Sequence, residues 1–138
     1  MIFKRKRHKL PAYPEYIAPG FKKMCIAIPV ESIPAIQMEL FEYMGRAEAE
    51  HSKDPVVDLA LAREIAQISS YLLEHYEELS KEDRGLVIAG VKYFISDGDG
   101  VDDFKFASGL VDDAQVINHV LEELDITDRY IDIDRFRN

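Results

Sequence analysis

Six aspartates fall within 17 residues of this chain: Asp97, Asp99, Asp102, Asp103, Asp112 and Asp113. Like charges at that density repel, so cations, basic side chains, helix N-termini or solvent must compensate them. One chemistry is binding of a divalent cation. The carboxylates of Asp97, Asp99 and Asp103 could converge on Ca²⁺ or Mg²⁺, hard ions that take oxygen ligands, and serve a sensor or a metal-dependent enzyme. The run Asp97-Gly98-Asp99-Gly100 invites comparison with an EF-hand loop, but the sixth position is Asp102 where glycine is needed and the twelfth is Ser108 where glutamate is needed. The other reading is structural. Asp112 would cap a helix, Asp113 would sit on its positive end, and Asp99 or Asp103 would satisfy loop N–H groups. This second reading carries more weight.

Other chemistry-bearing residues are thinner. Glu48 and His51 have the Glu-x-x-His spacing of carboxylate-bridged di-iron bundles, but no second copy exists, so a helix surface explains them. His75 lies among Glu74, Glu77 and Glu78, an exposed pH-sensitive ion cluster. His119, beside Gln115 and Glu122, reads as surface. Cys25 within an apolar run reads as a core thiol with no base beside it. There is no phosphate-binding glycine loop and no Gly-x-Ser-x-Gly elbow, so no catalytic or cofactor-binding residue is assigned.

The elements that would position these groups are helical. Ser32 as N-cap with Pro34 in the first turn opens a first helix, with Ile33, Ile36, Leu40, Tyr43 and Ala47 at helical spacing and an end near His51. Glu42 and Arg46 stand at i,i+4 on its outer side. Asp54 and Pro55 open a second, with Val57, Leu61, Ile65, Ile68, Leu72, Tyr76 and Leu79 as its stripe. Ser80 followed by Asp83 resembles a capping box, starting a third helix over 81–95 that is apolar nearly all round and belongs at the centre of a bundle. Gly85 and Gly90 within it predict close approach by neighbours. After a loop over 96–111, a fourth helix from Asp112 turns Ala114, Ile117, Leu121 and Leu124 inward and Gln115, Asn118 and Glu122 outward. Residues 125–138 read as a short helix or an ordered tail.

Before Ser32 the chain differs. Pro11, Pro14 and Pro19 among Tyr13, Tyr16 and Phe21 predict an extended arm lying on the body, and residues 24–30 a buried connector. The domain division is therefore a basic, proline-rich arm and connector over 1–31 and a helical bundle over 32–138.

Charge follows that division. Across 138 residues the net charge is −9, yet residues 1–9 hold five of the 17 Lys+Arg and none of the 26 acids, leaving −14 on residues 10–138. An acidic body repels phosphate, which argues against a nucleic-acid binder; the basic arm alone could touch anionic lipid or nucleic acid. With one cysteine no internal disulfide forms, which points to a reducing, cytoplasmic setting. The N-terminus is basic but lacks the apolar stretch of a signal peptide. The longest apolar run, residues 85–95 with Lys92 inside it, is far short of the roughly 20 residues a membrane helix needs.

The segment YFISDGDGVDDFKFASGLVDDAQV, residues 93–116, resembles the YkvA-like family of small helical proteins, also called DUF1232. Members carry a tyrosine-phenylalanine pair, a Pro-x-Asp-x-x-Pro-Asp-x-x-Pro loop, and Gly-x-x-Asp-Asp-Ala opening a helix. This chain keeps Tyr93, Phe94, Asp99, Asp103, Gly109, Asp112, Asp113 and Ala114, while Asp97, Asp102 and Phe106 replace the three prolines. The match covers about residues 85–124, as in a divergent member. The resemblance implies a helical fold with an acidic interhelical loop and no defined activity; some relatives are membrane-attached, which this sequence does not support.

The sequence therefore predicts an all-α protein, a small bundle of about four main helices with an extended N-terminal arm. Its function reads first as a non-enzymatic interaction or regulatory module, with a protein partner or self-association through the Tyr- and Pro-rich arm. The rival is a divalent-metal-binding protein or metal-dependent enzyme using the acidic loop over 97–113.

Overall fold

Residues Ile33, Ile36, Leu40, Tyr43 and Ala47 recur every three or four positions, and all five are buried on one face of a helix that runs Ile33–Lys53, α2. The computed structural model describes residues 18–53, 59–95 and 107–136. Among them the other α-helices are α1 (Ala18–Met24), α3 (Leu59–Glu74), α4 (Lys81–Ile95) and α5 (Ala107–Glu123), with short 3₁₀ turns at Val30–Ser32 before α2, at Tyr76–Glu78 between α3 and α4, and at Ile133–Phe136 after α5. No strand occurs among the described residues. The architecture is the expected all-α bundle, with one short helix added ahead of it.

α4 is the element the others surround. It packs against α1, α2, α3 and α5, and Val87, Ile88, Ala89, Val91, Phe94 and Ile95 are all buried. Ser80 starts it as expected: its Oγ accepts a hydrogen bond from the Asp83 N–H at 3.2 Å, and its carbonyl accepts from the Arg84 N–H at 2.8 Å. Phe94 stacks at a tilt on Tyr43 of α2, ring centroids 4.7 Å apart.

Both glycines of α4 sit where a neighbour comes close. A Cβ at Gly90 would stand 3.0 Å from Val120 Cγ2 and 3.1 Å from Ile117 Cδ1, side-chain atoms of α5. At Gly85 it would stand 3.0 Å from the carbonyl oxygen of Cys25 and 3.1 Å from its carbon. Side chains can shift by tenths of an ångström, whereas the Cys25 backbone is pinned by α1 before it. Gly85→Ala is therefore expected to lower stability by about 1–2 kcal/mol despite alanine's better helix propensity, and to cost more than Gly90→Ala. Urea melts of the two variants check the order.

The helix expected through Leu79 ends at Glu74, Tyr76 falling in the 3₁₀ turn beyond it, and three expectations about α5 are also corrected by the fold. Residues 107–111, expected as loop, form the first turn and more of α5, which opens at Ala107 and not at Asp112. Leu110 is fully buried one turn ahead of Ala114, Ile117 and Leu121, and burying it outweighs the propensity cost of Gly109. Asp112 is thus no cap: it lies in the second turn beside the buried Asp113. Asn118 does not face out. It is 2% exposed, because the chain after α5 folds back over the face read as solvent. Its Nδ2 donates to the Ile131 carbonyl at 3.0 Å and its Oδ1 accepts from the Ile131 N–H at 2.8 Å.

The chain turns back through Asp125, whose φ of 61° is left-handed. The Asp125 N–H bonds the Glu122 carbonyl at 3.0 Å and the Ile126 N–H bonds the Leu121 carbonyl at 2.9 Å, the paired bonds of a Schellman ending. The ordered tail expected over this segment follows, with Ile131 and Ile133 buried.

The short helix α1 falls inside what reads as the arm. Pro19 is its second residue, where a missing N–H costs nothing because first-turn amides have no intrahelical acceptor. Phe21 is buried, meeting the ring of His119 edge-on at 5.8 Å between centroids. His119 is accordingly half-buried against α1. Residues 1–17, with the basic stretch, lie outside the described residues.

Candidate docking groove

α2 and α3 run antiparallel: Arg63 Nη2 meets Glu48 Oε2 at 3.2 Å near the end of α2 and start of α3, and residues 37–44 face residues 66–74 further along. From that pair toward the start of α2 the two helices enclose an open groove of about 460 Å³ lined by Gln37, Leu40, Phe41, Met44, Ala66, Gln67, Ser70, Tyr71 and Glu74. Among these described lining residues only Glu74, at the far end, is charged. Its lining is largely apolar, with Phe41, Tyr71 and Met44, and its charge stands at one end.

Phe41, on its rim, is 76% exposed, and Met38, one turn earlier on α2 and outside the groove lining, is 57% exposed. At the far end Tyr71 is covered on one face by Arg129, whose guanidinium carbon lies 3.8 Å from the ring centroid. The His75 ring lies 4.6 Å from that of Tyr71, and its Nδ1 is 3.0 Å from Glu78 Oε2. The glutamate-rich ion cluster expected around His75 is here a partly exposed His75–Glu78 contact.

On the other side of α4, residues 25–29 are strapped to the body by Tyr76. Its hydroxyl donates to the Ile28 carbonyl at 2.6 Å and accepts from the Ile28 N–H at 2.8 Å. Arg84 holds that turn in place, donating from Nε to the Tyr76 carbonyl at 3.1 Å and from Nη2 to the Glu77 carbonyl at 2.8 Å. Cys25 is half-buried, donating from Sγ to the Phe21 carbonyl at 3.3 Å, and burial pushes its thiol above the usual range.

The residues singled out in the sequence divide. Asp97, Asp99, Asp102, Asp103 and Phe106 lie outside the described residues. Among the described residues no three His, Cys, Asp or Glu side chains come together as a metal ion would need. Of the YkvA-like positions, Phe94 and Ala114 are core, Tyr93 is half-buried, Gly109 lies in the first turn of α5, and Asp112 and Asp113 follow in its second. Glu48 of the Glu-x-x-His pair is spent on Arg63 at the surface. Of the groove residues the sequence reading names only Leu40, as core; the signal for the rest is that Phe41, Met44 and Tyr71 are left over once the inward stripes of α2 and α3 are assigned. Among the described residues no helix is long and apolar enough to cross a membrane. No protein-family profile, curated protein or solved structure matches the chain.

Proposed function

We propose that this protein is a non-enzymatic interaction module whose docking surface is the α2–α3 groove. The observation that carries this reading is Phe41, three-quarters exposed on a largely apolar groove whose one charged lining residue, Glu74, stands at its end. Leaving a phenyl ring in water forgoes about 2 kcal/mol of burial, and a second large apolar side chain, Met38, is exposed one turn away. The basis is the pairing of an aromatic anchor with neutral polar groups, Gln37, Gln67 and Ser70, that can hydrogen-bond an incoming chain. The proposal includes a reducing, cytoplasmic setting, in which the lone Cys25 stays a thiol.

A photo-crosslinking residue placed at position 41 tests this in cells that make the full chain. It is expected to give a discrete adduct that the same residue at exposed Glu82, in the first turn of α4, does not give. Equal labelling from both positions, or none from position 41, would remove the reading.

A further inference from the structure

We infer that the occupant of the groove is a second copy of this chain, the two α2–α3 hairpins closing face to face into a four-helix bundle. This deepens the docking proposal and rests on it. Gly45 supplies the first observation. It lies in the middle of α2, one turn beyond Phe41 on the outward side, and a Cβ there would meet nothing within 4 Å among the described residues. A mid-helix glycine costs roughly 1 kcal/mol against alanine, and nothing among the described residues explains it. Antiparallel pairing of α2 with its copy about a twofold axis level with Tyr43 does. Positions two before and two after the axis then face each other, so Phe41 of each chain seats over the bare backbone at Gly45 of the other. A twofold contact needs such a self-complementary pair, an anchor and a hollow on one surface.

Area supplies the second. Two helices spaced 8–10 Å apart, each about 10 Å wide, present a face roughly 20 Å across, and α3, the shorter, is about 24 Å long. That is about 500 Å² per chain and about 1,000 Å² for the pair, the lower bound for a specific interface. The dimer is therefore expected in the micromolar range. Each copy carries a net −9, so the pair repel one another, and salt that screens this repulsion strengthens the apolar contact. An occupant recruited by charge, such as the basic residues 1–9 on an acidic surface, has the opposite salt dependence.

Sedimentation equilibrium of the purified full chain, across micromolar concentrations and at physiological and high salt, decides it. The expected result is a dimer that tightens with salt. Phe41→Glu should raise its dissociation constant roughly 100-fold, since the anchor is lost twice. Gly45→Leu should also dissociate it while raising the melting temperature of the dilute monomer, because the hollow is filled and a better helix former installed. A monomer at every concentration overturns the inference, as does a dimer indifferent to both substitutions or one that loosens with salt. A crosslink from position 41 to a different protein, with the purified chain monomeric, also overturns it while leaving the docking surface standing.

Discussion

Asn118→Ala is expected to cost about 3–4 kcal/mol, a large share of the 5–15 kcal/mol that holds a small domain folded. The amide makes both of its bonds to one residue, the Ile131 N–H and C=O, with Asn118 2% and Ile131 3% exposed. Truncation leaves that donor and that acceptor buried and unsatisfied, at roughly 1–3 kcal/mol each, and opens a small void. Chemical denaturation gives the magnitude. Hydrogen exchange gives the location, because the Ile131 amide should lose protection before those of α4. An unchanged midpoint would show that the segment after α5 contributes nothing to the bundle.

Asn118→Asp separates geometry from chemistry. The carboxylate keeps an acceptor for the Ile131 N–H but turns a second oxygen toward the Ile131 carbonyl. Only the protonated acid can donate there, so burial and that carbonyl raise its pKa in the folded state. The variant should be as damaged as Asn118→Ala at neutral pH and recover as pH falls through the raised value, with the folded state binding the extra proton. Its denaturation midpoint measured against pH, relative to the parent, checks the sign.

The second large effect is expected from Tyr76→Phe. Ring volume is conserved, so packing in a site only 1% exposed is retained and the change isolates one hydroxyl. That hydroxyl is both donor and acceptor for Ile28. Ile28 is only half-buried, so water replaces part of what is lost, and the expected cost is about 2 kcal/mol. The loss should appear as faster exchange at the Ile28 amide and looser attachment of residues 25–29, with α2 and α3 unaffected. A melting curve that overlays the parent would sink this account.

Several elements were legible from residue spacing alone. α4 runs over the expected 81–95, its cap is Ser80, and both of its glycines meet close neighbours. The inward stripe of α2 is buried as expected. These features are local, or follow from a helix having no polar face. What resisted reading depends on contacts distant in sequence. A polar residue between inward positions, such as Asn118, looks solvated until a backbone thirteen residues later is known to lie over it. α1 was hidden because proline at the start of a helix and proline in an extended arm look alike. The groove was half legible: the spacing that assigns Leu40 and Tyr43 inward leaves Met38 and Phe41 outward, but whether a neighbouring helix hides them is a tertiary fact. The acidic stretch was legible as charge density, and Asp97, Asp99 and Asp103 lie outside the described residues, so the cation reading gains no geometry.

The seating of Gly85 against the Cys25 carbonyl also sets an order of events during synthesis. α1 has seven residues, too few to persist as an isolated helix in water. The surface it docks on is α4, completed only when Ile95 has been added. At ordinary elongation rates nascent α1 waits on the order of 10 s for its seat. The earliest-made of the described helices is thus among the last to settle.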